Sequence, residues 1–90
     1  MTLDTLREKI DRVDTALLAL FEERMDIVLE IAALKAAEGL PILDRSREAA
    51  KLREIEAKAR PDLAPYAHIL YNTLFELSRD LQNRTQEENA

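Results

Sequence analysis

Ten positions in the first third of the chain form a heptad stripe without a slip: Leu3, Leu6, Ile10, Val13, Leu17, Leu20, Arg24, Ile27, Ile31 and Leu34, alternately three and four residues apart. This spacing places one apolar face along an α-helix. With no glycine or proline after Met1 until Gly39, it predicts a first helix over about 4–38, a rod of roughly 50 Å. A compact globule of 90 residues has a radius of gyration of only about 12 Å. Part of the stripe must therefore be covered by a second copy of the chain or by another partner. Nine of the ten positions are aliphatic and one is arginine. Because an isolated buried charge is costly, Arg24 must be paired, hydrated or placed to meet an anion.

The remaining punctuation predicts two more helices. Gly39 is placed just past the first helix, with Pro41 preventing its continuation. Asp44 is an N-cap candidate for a second helix over about 45–59, carrying Ala49, Leu52, Ile55 and Glu56. Arg60, Pro61 and Asp62 break that helix. A third, over about 63–83, takes Pro65 in its first turn and carries Ile69, Leu70, Leu74, Phe75, Leu77 and Leu81 at helical spacing. The polar tail over 84–90 is expected to fray. One all-α domain over 1–90 follows, from a chain rich in Ala, Leu, Glu, Lys and Arg. It has no cysteine for a disulfide, which again favours help from a second chain.

Charge and hydropathy exclude several classes of function. The net charge of −5 argues against general nucleic-acid binding, which needs a basic footprint. No run approaches the roughly 18 apolar residues of a membrane span. Asp4, Arg7, Glu8 and Lys9 stand where a signal peptide would have its apolar core, so a cytoplasmic location is expected. His68 is the single histidine and has no spaced metal-ligand partner. There is no phosphate loop or catalytic triad, and no metal or cofactor is expected. Phe21, Tyr66, Tyr71 and Phe75 are taken as packing residues.

An anionic ligand would have to be drawn by local cations. Lys35 follows Arg24 by eleven residues, three turns plus about 20°, so the two share a face roughly 16 Å apart and suit two walls of one pocket. Arg7 lies about 100° round the helix from Arg24 and some 25 Å away. It is either solvated surface or, if two long helices pair antiparallel, a visitor to the partner's pocket. Arg47 and Glu48 open the second helix, where free N–H groups make a mildly positive mouth. Ser78 and Gln82 sit one turn apart at the edge of the third helix's apolar stripe.

Together these residues carry a resemblance. The run Leu6-Arg7-Glu8-Lys9-Ile10-Asp11, with Asp14 and Leu17-Leu18 following, Glu23-Arg24, Ala33-Leu34-Lys35, Asp44 with Arg47-Glu48, and Ser78 with Gln82 resembles the all-helical chorismate mutases of the AroQ class, over nearly the whole chain. The resemblance implies an intertwined six-helix homodimer with three helices per chain and two pockets, each completed by an arginine of the other chain. That visitor would be Arg7. Arg24 and Arg47 would hold the substrate carboxylates with it, Lys35 and Gln82 would address the ether oxygen of the breaking C–O bond, and Lys35 would also reach a carboxylate. Glu48, with the backbone at Asp44, would bind the ring hydroxyl, and Ser78 would contact the substrate beside the third helix.

The reaction so implied is the pericyclic rearrangement of chorismate to prephenate in phenylalanine and tyrosine biosynthesis. It needs no nucleophile, metal or proton transfer, only a compact conformer and donors at the oxygen where charge grows. Two related activities on the same fold are alternatives, isochorismate pyruvate lyase and aminodeoxychorismate mutase; Glu48 favours chorismate. A non-catalytic helical dimerisation module is the third reading, and Arg24 and Lys35 speak against it. The chain matches only the mutase portion of bifunctional enzymes, so feedback control by phenylalanine or tyrosine is not expected from it.

Overall fold

The computed structural model describes residues 1–88. Three helices and no strand occur among them: α1 (Leu3–Glu38), α2 (Arg45–Lys58) and α3 (Ala64–Glu88). The side chain of Thr2 caps α1 by accepting from the Thr5 N–H at 3.1 Å. At its far end Gly39 adopts φ 72°, donating to the Ala36 carbonyl at 3.3 Å, while Leu40 donates to that of Lys35 at 2.8 Å. These paired bonds satisfy carbonyls that the helix end leaves free, and they require the left-handed conformation that glycine adopts without penalty. Asp44 caps α2 by accepting from the Arg47 N–H at 2.9 Å. Leu63 and Ala64 both donate to the Arg60 carbonyl at 2.9 Å, turning the chain over Pro61 into α3.

The third helix is longer than the expected 63–83. α3 continues to Glu88, because nothing from Asn83 to Glu88 is Gly or Pro. Arg84 pairs with Asp80 one turn back at 3.4 Å, and Thr85 and Gln86 are half-buried along α1. The end of the tail at 89–90 lies outside the described residues.

α3 packs on both other helices, whereas α1 and α2 do not pack on each other. The result is a plate of 55 × 27 × 14 Å, whose long edge is α1 at about 1.5 Å per residue. Its radius of gyration is 16.4 Å, well above the roughly 12 Å of a compact chain this long. The apolar core within one chain is correspondingly small: among the described residues Val28, Ala32 and Phe75 are the buried hydrophobic ones. Phe75 meets Tyr71 edge-on at 6.3 Å. Tyr66, expected to pack, is 69% exposed in the single chain.

The face of α1 turned to α3 is offset from the heptad stripe. Phe21, Arg24, Met25, Val28 and Ala32 are at least half-buried, while Leu3, Leu6, Ile10, Val13, Leu17, Leu20, Ile27, Ile31 and Leu34 remain exposed. Among the described residues no helix is long and apolar enough to cross a membrane.

Nothing lies within 4 Å of a Cβ placed on Gly39, so the cost of a side chain there is conformational only. Gly39→Ala is expected to destabilise the fold by about 1 kcal/mol, measured by chemical denaturation at fixed protein concentration. An unchanged midpoint would show that the α1 end relaxes freely.

Candidate active site

The apolar face of α3 is interrupted at Ser78 and Gln82, one turn apart, and both are buried against α1, at 8% and 6% exposure. The Gln82 side-chain amide donates from Nε2 to the Val28 carbonyl at 2.9 Å. That contact fixes which end of the amide is nitrogen and leaves its second N–H uncommitted. The Ser78 hydroxyl donates to the Leu74 carbonyl at 2.6 Å and accepts from Arg24 Nη1 at 2.7 Å. Arg24 also lies over the Phe75 ring, 5.9 Å from its centroid, at the outer reach of a cation–π contact. Its guanidinium is thus held in place with most of its five donors still free. The exception in the heptad stripe is not answered by a carboxylate: among the described residues Arg24 has no ion-pair partner.

Two turns along α1 from Val28, the residue that Gln82 meets, Lys35 donates from Nζ to the Ile42 carbonyl at 2.9 Å. This bond draws the 39–44 connection across α1 and leaves two ammonium protons available. The connection delivers Asp44 and the first turn of α2, with Arg47 and Glu48. Arg24, Lys35, Asp44, Arg47, Glu48, Ser78 and Gln82 all line a single cleft of about 410 Å³, together with Val28, Ile31, Ile42, Lys51, Phe75 and Arg79. Seven of the eight residues singled out from the sequence therefore meet in one place. The eighth, Arg7, does not line it; it is exposed near the start of α1.

Five basic side chains and two acidic ones line this cleft in a chain of net charge −5. Two of the five cations are occupied. Arg79 Nη1 grips Glu48, meeting Oε2 at 2.6 Å and reaching Oε1 as well, and Lys51 pairs with Glu54 at 3.0 Å. Hydrogen bonds from Lys58 and then Lys51 hold the Glu54 carboxyl down at about 2, so it stays ionised through the mildly acidic range and keeps Lys51 paired there. Arg24, Lys35 and Arg47 have no carboxylate partner among the described residues. Three unmatched cations around an open, partly apolar cleft suit a small molecule carrying more than one negative charge.

Sequence reasoning missed Lys51 and Arg79. Lys51 was within reach, being four residues from Arg47 and hence on the same face of α2. Arg79 follows Ser78 directly, so it points about 100° away from it, toward α2 rather than α1; this becomes visible only once the helices are placed. His68, half-exposed, pairs with Glu56 between α3 and α2 and lies outside the cleft.

The family model described as "Chorismate mutase type II" matches residues 6–83, a span holding every residue of the cleft and Arg7. Among individual proteins, the chain is similar to a protein named T-protein from Enterobacter agglomerans, 46% identical over 66 residues, which are 68% of this chain and 18% of that protein. It is also similar to a T-protein from Haemophilus influenzae, 40% identical over 58 residues, 62% of this chain and 15% of that one. A third relative, named 3-dehydroquinate dehydratase and from Pyrobaculum aerophilum, is 43% identical over 51 residues, 57% of this chain and 17% of its own length. The chain thus spans less than a fifth of each of these relatives. From the helical order, the cation cleft and a family match running from the first turns of α1 to the end of the cleft on α3, the chain belongs to the chorismate mutase type II family.

Proposed function

We propose that the cleft converts chorismate to prephenate, the step toward phenylalanine and tyrosine, and that it does so in a homodimer. The observation that carries this reading is the set of three cations without carboxylate partners, gathered with a neutral, oriented amide in one cleft. Chorismate is a dianion whose reactive conformer folds its enolpyruvyl side chain over the ring. Arg24 and Arg47 hold its two carboxylates, and charge-assisted hydrogen bonds of about 1.5–3 kcal/mol each offset the loss of freedom in the compact form. As the C–O bond breaks, negative charge grows on the ether oxygen. Lys35 and the free N–H of Gln82 donate to it, and both are already held by backbone carbonyls, so little reorganisation is needed. Glu48 accepts from the ring hydroxyl beside the Asp44 backbone, and Ser78 keeps Arg24 in place next to the substrate.

The uncovered stripe on α1 supports the homodimer. A continuous apolar strip on a plate 14 Å thick is unfavourable in water and marks an interface. Antiparallel pairing of two α1 helices buries it and brings Arg7 of one copy, some 25 Å from its own Arg24, to the other copy's cleft. Each site then has a fourth cation for the dianion.

Incubation of the protein with chorismate tests the activity. Loss of the cyclohexadiene absorbance with formation of prephenate is the expected outcome. Release of pyruvate from isochorismate with no turnover of chorismate would replace the mutase reading with a lyase one.

A further inference from the structure

Arg79 lines the cleft, and the proposed mechanism gives it no task. It grips both oxygens of Glu48 from α3, and the two side chains are mostly shielded, at 30% and 25% exposure. Glu48 has no other ion-pair partner among the described residues, since Lys51 one turn along α2 is taken by Glu54 and Arg47 is unpaired. A lone carboxylate in a cleft that admits a dianion would repel it. A guanidinium nitrogen that meets both oxygens, as Arg79 Nη1 does, balances that charge and holds the carboxylate in place. Each carboxylate oxygen still keeps a lone pair for a further donor.

We propose that Arg79 is a positioning residue that sets substrate binding through Glu48: it orients and neutralises the carboxylate so that Glu48 can accept from the ring hydroxyl without repelling the substrate's own carboxylates. This rests on the mutase reading of the cleft. Arg79 acts on the substrate through Glu48 alone in this proposal, so its removal acts on binding more than on the chemical step. Lysine at this position restores the charge on a flexible stem but not the planar guanidinium, and so recovers part of the effect.

The test is a double-mutant cycle on steady-state kinetics with chorismate, using variants whose helix content and melting match the parent. Arg79→Met is expected to raise KM about tenfold or more, the scale of one charge-assisted pair, with kcat changed less than about threefold. Arg79→Lys should recover much of the loss. In a Glu48→Gln background the carboxylate is gone, and Arg79→Met should then alter KM by less than about twofold, because the two residues act as a unit. If Arg79→Met fails to fold, Arg79→Gln takes its place in both backgrounds. An equal KM penalty with and without the Glu48 carboxylate, or a fall in kcat at unchanged KM, would overturn the proposal while leaving the mutase reading intact. A parent protein that does not turn over chorismate contradicts the mutase reading itself, and this proposal with it.

Discussion

Lys35→Ala is expected to lower kcat for chorismate by on the order of a hundredfold or more, the loss seen when one donor to a developing oxyanion is removed. The size follows from where Lys35 stands. Its ammonium is anchored by the Ile42 carbonyl at 2.9 Å on one side and lines the cleft on the other, so in the proposed mechanism it meets the ether oxygen with its geometry already set. The charge on that oxygen exists only as the bond breaks, so the interaction is stronger in the transition state than in the bound substrate. Loss of it should appear mainly in kcat. Some rise in KM is also expected if, as proposed, Lys35 also meets a substrate carboxylate. Single-turnover kinetics separates the two effects, and a variant retaining parental turnover would remove Lys35 from the ether-oxygen role. The same variant releases the 39–44 connection from α1, so its melting should be compared with that of the parent.

Gln82→Glu is expected to cost about a hundredfold or more in kcat/KM at pH 8 and to regain activity as the pH falls, again on the scale of one lost donor. An amide donates at any pH, whereas a carboxyl donates only when protonated. In this structure the demand is double: position 82 must donate both to the Val28 carbonyl, as Nε2 now does at 2.9 Å, and to the ether oxygen. A protonated carboxyl has one O–H, so even at low pH the variant should remain below the parent. The parent should keep its activity from neutral to alkaline pH. A steep parental loss above pH 7, or a variant whose activity is flat with pH, would contradict the donor role of Gln82.

Much of the fold was legible because its ends are chemically marked. Gly39 with Pro41, Asp44, and the Arg60-Pro61-Asp62 break each leave the backbone one favourable course, and the helices begin and end within a residue or two of those signals. The end of the third helix was placed too early because polar composition does not stop a helix when no breaker is present and side chains such as Asp80 and Arg84 fall one turn apart. The stripe was legible as a seam, but not which element it meets. α3 takes the offset face carrying Val28 and Ala32, and the seam itself stays uncovered within one chain.

The cleft was legible where a residue breaks a pattern. Arg24 stands out against nine aliphatic neighbours, and Lys35 shares its face. Ser78 and Gln82 are unremarkable as a pair, and only their burial beneath α1 shows that polar groups were placed at a packed contact. What no local pattern could give is the pairing of charges between helices. Arg79 and Glu48 are 31 residues apart, and this contact decides which cations remain available to a ligand.

The central claim is that one chain builds the cleft and a second copy completes it with Arg7. Mixing Arg7→Ala protein with Arg24→Ala protein tests it most directly. Each variant alone should be nearly inactive, because its dimers have two damaged sites. After subunit exchange, half of the dimers are mixed and carry both lesions in one site and none in the other, so chorismate turnover should recover to about a quarter of the parent's under two-fold symmetry. No recovery after exchange has been verified with differently tagged copies would contradict the shared site, as would full activity of Arg7→Ala on its own.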